Sequence, residues 1–195
     1  TFTINANTSY TGLTTVSAGE LRVNGTMADS LLISAGARFS GNATISGNLA
    51  LGGNRTFTTT NAADGLTVSA VISGANTLTK AGNGTLTLSG VNTYTGTTTI
   101  STGTLVAASN SALGSTTAGT TVANNANLTL QGGITVGAEA LSLTGTGVGN
   151  NGALRNLSGN NSWGGTVTLA GTTEIQSDAG TLTLSNASAN GTSNV

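Results

Sequence analysis

Few side chains in this chain of 195 residues have the chemistry of a catalytic or metal-binding group. The acidic residues are Glu20, Asp29, Asp64, Glu139, Glu174 and Asp178, and the basic residues are Arg22, Arg38, Arg55, Lys80 and Arg155. Polysaccharide-degrading enzymes need closely spaced carboxylates, yet the sequence has no D-x-D or D-D pair, and only Glu174 and Asp178 are near enough along the chain to approach each other. The sequence therefore predicts no catalytic activity, with a polysaccharide-degrading enzyme as an alternative.

The residue types that are missing exclude further classes of site. Without histidine or cysteine the chain has no Ser-His-Asp triad and none of the usual zinc ligand sets. The nearest approach to a calcium-binding GGxGxD repeat, Gly132-Gly133-Ile134-Thr135, lacks the aspartate. A net charge of -1 without a basic cluster argues against nucleic acid as a partner. We expect no cofactor, no metal and no nucleic acid.

Threonine pairs recur at a nearly constant interval. The three Thr-x-Thr pairs begin 19 and 20 positions apart and predict an outward threonine ladder of Thr58, Thr60, Thr77, Thr79, Thr97 and Thr99. Such ladders occur on ice-binding solenoids, which is one alternative. The array decays at Thr135, and outward threonines are also what a plain β-solenoid uses as its wet surface. The structural interpretation is therefore favoured.

Three aromatic residues share one local context. Tyr10, Tyr94 and Trp163 each follow Ser or Thr and precede x-Gly. Exposed rings of this kind can stack on sugars, so a glycan-binding role is one hypothesis. Their common context favours a second hypothesis, in which the rings pack at a corner of a structural repeat.

The elements that position these residues are short strands. Within Gly84–Gly90 apolar residues alternate with polar ones, which places Leu86 and Leu88 on one face of a strand. The dense Gly and Thr content disfavours long helices. Similar runs bounded by Gly or Asn predict further strands at 66–68, 127–130, 141–143, 166–169 and 181–185.

Internal repetition decides between a solenoid and other all-β folds. Residues 9–23 align without gaps on 93–107 with eight of fifteen positions identical, and Val16 aligns with Ile100. The aromatic residues are 84 and 69 positions apart, which are near multiples of 21 to 23. This predicts one continuous three-sided β-solenoid over residues 1–195, with about 20–23 residues per coil and a rise of about 4.8 Å.

Residues 78–90, followed by 92–100 and 103–105, closely resemble the autotransporter-associated β-strand repeat of type V secreted passenger domains. The resemblance implies an all-β, right-handed parallel β-helix. It also implies export across the outer membrane through a translocator barrel that this chain lacks. The passenger would then lie on the surface of a Gram-negative bacterium, or outside the cell, where a glycan or a protein would be its partner.

These observations predict a non-catalytic scaffold or stalk of a bacterial adhesin. Thr1 begins directly with a strand-like TFTI and not with a signal peptide, so we expect a mature or excised piece of a longer protein. Uncapped coil edges template further strand pairing. The remaining alternative is therefore a self-assembling extracellular fibre subunit that stacks end to end.

Overall fold

A computed structural model describes residues 1–8, 12–28, 31–34 and 38–188, in which regular structure is almost entirely β. The only helical element in these ranges is a single 3-10 turn at Val148–Asn150. None of the described residues forms a helix that is long and apolar enough to span a lipid bilayer. The pairings between the described strands are parallel, as in a coil that returns to the same face once per turn.

The described strands, in chain order, are β1 (Phe2–Ile4), β2 (Thr14–Val16), β3 (Glu20–Val23), β4 (Thr26–Met27), β5 (Leu31–Ser34), β6 (Arg38–Ser40), β7 (Ala43–Ile45), β8 (Leu49–Gly52), β9 (Arg55–Thr58), β10 (Gly65–Val68), β11 (Ile72–Ser73), β12 (Leu78–Ala81), β13 (Thr85–Leu88), β14 (Thr98–Ile100), β15 (Gly103–Ala107), β16 (Thr120–Val122), β17 (Ala126–Gln131), β18 (Thr135–Val136), β19 (Leu141–Gly145), β20 (Leu154–Ser158), β21 (Asn161–Thr173), β22 (Ile175–Ser177) and β23 (Leu182–Ser188).

These strands form three sheets that run along the coil axis. The first sheet has the order β1-β3-β6-β9-β12-β14-β16-β19-β21-β18, with β23 also paired to β21. The second sheet has the order β22-β20-β17-β15-β13-β10-β7-β4, and the third has β11-β8-β5-β2. From β1 to β21 the first sheet takes eight steps between neighbouring strands, which at about 4.8 Å each gives a rod about 40 Å long. The predicted parallel β-solenoid is confirmed.

The number of residues per coil varies along the rod. Lys80 pairs with Ile100, 20 positions on, within the predicted range. Phe39 pairs with Phe57, only 18 positions on, and Leu143 pairs with Leu169, 26 positions on. Strand register is fixed because a slip of one residue would turn the apolar side chains outward. Corner segments carry no such constraint and absorb the difference in length.

The core is a narrow column of inward side chains. Leu86 and Leu88 are buried, as their alternation predicted, and they pair with Leu66 and Val68 of the turn before. One buried cluster extends from Leu21 to Leu169. Because each turn contributes only a few inward positions, aliphatic residues fill most of this column, and the large aromatic side chains of Phe57, Tyr94 and Trp163 are buried in it at separate places.

The third side of the coil changes along the chain. The third sheet ends at β11, and residues 89–97 and 108–119 of the next two turns contain no strand on that side. Pairing resumes where β18 meets the first part of β21, which in turn pairs with β23. Residues 89–97, 108–119 and 132–140 are called the loop side below.

The two aligned repeat copies lie on different sides of the solenoid. Val16 belongs to β2 in the third sheet, whereas Ile100 belongs to β14 in the first sheet. The strands that follow, β3 and β15, lie in the first and second sheets. The repeat therefore specifies a strand, a corner and a second strand, and any of the three corners can accommodate it.

Candidate functional site

Of the two described aromatic candidates, Tyr94 lies in the loop side, and Trp163 lies in β21, where it pairs with Val136 of the loop side. Tyr94 and Trp163 are both fully buried. The Tyr94 hydroxyl lies 2.6 Å from the Thr98 hydroxyl, and the Trp163 indole nitrogen donates to the main-chain oxygen of Glu139 over 2.8 Å. Neither ring presents a face on which a sugar could stack, and both pack inside the coil. The third candidate, Tyr10, lies outside the described residues.

Glu139 is buried on the same side, at 2% exposure. Its Oε1 accepts a hydrogen bond of 2.5 Å from the Thr120 hydroxyl. Burial raises the pKa of this carboxyl group to about 7, and the Thr120 hydrogen bond opposes part of that rise. No local pattern indicates burial of this residue, because an isolated acid between two alanines is typical of a solvated turn.

Lys80 is another buried titratable group. Along the chain it lies between β11, the last strand of the third sheet, and residues 89–97 of the loop side. It occupies an inward position of the first sheet, where it pairs with Phe57 and Ile100. Its ammonium group donates to three main-chain oxygens at a corner between the first and second sheets, those of Ala81 at 3.0 Å, Gly82 at 2.7 Å and Thr102 at 3.1 Å. Burial lowers the pKa of Lys80 to about 8.

The position of Lys80 in the alternation is a sequence signal that was overlooked. Leu78 and Lys80 share a strand face, so the charge was bound to point inward once Leu78 did. Its three hydrogen bonds tie the corner of one turn to the corner of the next. We interpret Lys80 as a structural cross-link and not as a catalytic base.

Buried asparagines connect successive turns of the loop side. The Asn92 Oδ1 accepts from the Ile72 main-chain nitrogen at 2.8 Å, and its Nδ2 donates to the Ala112 oxygen at 2.6 Å. Asn161 does the same further on, accepting from the Ile134 nitrogen at 2.7 Å. These amides supply hydrogen bonds that a β-ladder would otherwise make. Sequence reasoning assigned Asn to corners and missed these buried positions.

The remaining described carboxylates bind neutral or basic neighbours. Glu20 accepts from Thr1 at 2.8 Å and also from Ser40, which lowers its pKa. The predicted approach of Asp178 to Glu174 is not what its contacts show, because Asp178 accepts from Arg155 Nε at 3.0 Å and from Gln176 at 2.7 Å.

No contact described for these side chains joins two carboxylates. Asp64 accepts from the main-chain nitrogen of Asn61 at 2.9 Å, which lowers its pKa. Within the described part of the chain no group of three potential metal ligands comes together. These contacts give the acidic residues structural roles at corners and between turns.

The outward threonine ladder differs from the predicted one. Thr79 and Thr99 are register partners, but Thr79 pairs on its other side with Thr56, and Thr58 pairs with Ala81. The prediction that Thr58 and Thr60 continue the ladder is wrong, because the coil from Phe57 to Lys80 has 23 residues and not 19, which shifts the register by four positions. The row observed on the first sheet is Thr56, Thr79, Thr99, Thr121, Ser142 and Thr168.

The geometry thus defines a sparsely charged parallel β-solenoid without a constellation of reactive groups among its described residues. Comparisons with known proteins agree with this class. The passenger-associated-transport-repeat family matches residues 1–23 and 78–107. The adhesin BmaC autotransporter of Brucella suis biovar 1 (strain 1330) is 38% identical over 88 residues, which are 45% of this chain and 2% of that protein. No solved structure matches the chain.

The resemblance to autotransporter passengers is therefore confirmed: the chain carries passenger-associated-transport-repeats. The second matched segment, residues 78–107, covers the stretch that carries the resemblance in the sequence. The chain spans only a small part of the length of the adhesin that it resembles. Passengers of this kind imply a location at the cell surface or outside the cell of a Gram-negative bacterium.

Proposed function

We propose that this segment is a non-catalytic stalk within the passenger domain of a surface-exposed or secreted adhesin. The observation that carries the proposal is a continuous stack of parallel turns in which passenger repeats occur at two separate places, residues 1–23 and 78–107. A stacked solenoid becomes longer by about 4.8 Å with each turn, so the function of such a stalk is to supply length. The ligand of the adhesin, a glycan or a protein on a host or bacterial surface, would then bind elsewhere on the passenger.

The chemistry of the side chains supports a structural role. Tyr94 and Trp163 are buried, and the inward ammonium group of Lys80 donates hydrogen bonds to three main-chain oxygens. The central outward row of the first sheet presents hydroxyl groups from Thr56 to Thr168. Such a surface is wet and uncharged, which avoids repulsion between like charges stacked about 5 Å apart.

Removal of one whole coil from the intact adhesin tests this role. Phe39 and Phe57 are register partners, so deletion of residues 40–57 joins Phe39 to Thr58 and leaves the stack in register. We expect cells that display the shortened adhesin to adhere as before, and the rod to be shorter by about 5 Å in electron micrographs. The matched control, deletion of residues 40–48, removes half a turn and should abolish folding and display.

Binding and activity measurements on the purified chain of 195 residues provide the opposing outcomes. Saturable binding to a glycan array or to host cells would show that the segment is itself the adhesive part. Release of reducing ends from polysaccharides would overturn the non-catalytic assignment. Filaments that lengthen with concentration would replace the stalk by a self-assembling fibre subunit.

A further inference from the structure

The carboxyl group of Glu139 is enclosed by parts of three successive turns. The Thr120 hydroxyl of β16 donates to it at 2.5 Å. The Trp163 indole of β21 donates to the main-chain oxygen of the same residue at 2.8 Å. Gly165 lies so close to the Glu139 main chain that a Cβ at that position would overlap its carbonyl group. The side chain of Glu139 is thus bonded to the preceding turn, and its main chain is bonded to the following turn.

The described groups that contact or lie near Glu139 are uncharged. They are the Thr120 hydroxyl, the Trp163 indole and the Tyr94 hydroxyl, which is bonded to Thr98, and of these only Tyr94 titrates. Thr98 and Thr120 are register partners, so their hydrogen bonds to Tyr94 and Glu139 lie on neighbouring turns. Burial and the nearby Glu139 carboxyl group both raise the pKa of Tyr94, which therefore stays neutral. An ionised Glu139 has no counter-charge in this enclosure.

The segment that carries Glu139 has the features of a movable flap. It begins at Gly132 and Gly133, whose φ angles of +89° and +75° lie in the region that glycine adopts at least cost. Its only strand is the two-residue β18, which is bonded to β21. Ile134 and Val136 are buried core residues, and the side chains of Asn161 and Asn110 accept from the main chain around them. Only residues 137–140, among which Glu139 alone is buried, are therefore held chiefly by the Glu139 contacts.

We propose that Glu139 is a protonation-dependent latch: with its proton it seats residues 137–140 beneath Trp163, and without its proton it releases this short segment to solvent and uncovers Trp163. The device belongs to the fold itself and is independent of the proposed stalk function. A buried carboxylate without a partner is strongly disfavoured, and outward movement of a short segment restores its hydration.

The direction of the pH dependence follows from the burial. The seated carboxyl group has a pKa of about 7, whereas the released one returns to the ordinary value of 4.5. Between these two pH values the seated form binds more protons than the released form, so rising pH favours release. Above the upper value both forms are ionised, so the free energy of release no longer changes with pH.

Trp163 reports directly on this movement, because it is the only tryptophan in the sequence and is bonded to Glu139. We would record its emission maximum and its quenching by acrylamide from about pH 5 to 9, with far-ultraviolet circular dichroism to verify that the solenoid stays folded. The expected result is a red shift and stronger quenching as pH rises, with the strand signal unchanged.

Three variants separate the latch from other causes. Glu139→Gln keeps a group that can accept from Thr120 but cannot ionise, and should abolish the transition. Glu174→Gln, the matched control, should leave it unchanged. Thr120→Val removes a hydrogen bond that only the seated residue makes, so release should occur at lower pH.

The proposal is overturned if Trp163 emission in the unmodified protein is constant over this range, or if Glu139→Gln shows the same transition. Should Glu139→Gln fail to fold, the midpoint of Thr120→Val decides the matter. A downward shift supports the latch, and an unchanged midpoint refutes it.

Discussion

The third side of this solenoid is built in two ways. From β2 to β11 it is a regular parallel sheet in which Leu31, Leu49 and Ile72 stack one above the other, all three buried. In residues 89–97 and 108–119 the same side is an irregular backbone that encloses Asn92, Tyr94 and other buried side chains. Both halves bury a continuous core, but they satisfy their main-chain hydrogen bonds by different means.

The difference shows what an irregular turn requires of its sequence. A β-ladder pairs its own main-chain groups, so the sheet needs only an apolar side chain at every second position. On the loop side a particular amide has to reach a particular main-chain group, as Asn92 reaches Ile72 and Ala112. We therefore expect the loop side to tolerate substitution less well than the regular sheet.

The largest expected effect tests this contrast at Asn92. Asn92→Ala leaves the Ile72 N–H and the Ala112 carbonyl buried without their partner, and should lower the free energy of unfolding by about 2–6 kcal/mol. The measurement is guanidinium unfolding followed by circular dichroism. In the regular half the control is Ser69→Ala, whose hydroxyl bonds to an Ile45 oxygen that also accepts from the Ser69 main chain. Its cost should stay within about 0.5 kcal/mol, and equal costs at the two sites would remove the contrast.

The second prediction concerns the pH dependence of stability that Lys80 causes, in the turn between the regular sheet and the irregular backbone. Its folded-state pKa of about 8 lies below the ordinary 10.5, so the unfolded chain binds more protons between these values. Stability should therefore rise with pH across this window, by about 3 kcal/mol from this group. The difference between the unmodified protein and Lys80→Met in unfolding experiments isolates that rise. Arg155→Met, which removes an exposed base, should leave it intact, and a rise that survives in Lys80→Met would assign it to other groups.

Gly165 tests how tightly the loop side is packed. Gly165→Ala places a methyl group against the Glu139 main chain and should destabilise the protein by about 1–3 kcal/mol. Gly137→Ala is the matched control in the facing segment, where the new Cβ would meet only the Thr116 methyl group at 3.4 Å. Thermal unfolding of both variants decides the point, and similar melting temperatures would show that the loop side yields easily.

The smallest effect is expected at Tyr94. Tyr94→Phe removes one buried hydrogen bond and should cost about 1 kcal/mol. The double variant Tyr94→Phe with Thr98→Val leaves neither partner unsatisfied and should recover most of that loss. Additive losses in a double-mutant cycle would mean that the two hydroxyl groups do not depend on each other.

Much of the regular architecture follows from local pattern. The alternation around Leu86 and Leu88 predicted both a strand and its buried face, because the period of a strand is two residues. The number of residues in a corner cannot be read in this way. The spacing of the threonine pairs predicts that Thr58 and Thr79 belong to one ladder, but the coil between Phe57 and Lys80 has 23 residues and separates them.

The sequence by itself determined that the chain is β, parallel and repetitive, since alternation, turn residues and an aligned repeat are local properties of the chain. Only the tertiary structure decided which side each repeat occupies, as the aligned Val16 and Ile100 lie in different sheets. It alone also brought Thr120, Glu139 and Trp163 together. The physical reason is that stacking adds up corner lengths over many turns, so contacts between turns depend on the whole preceding chain and not on any short motif.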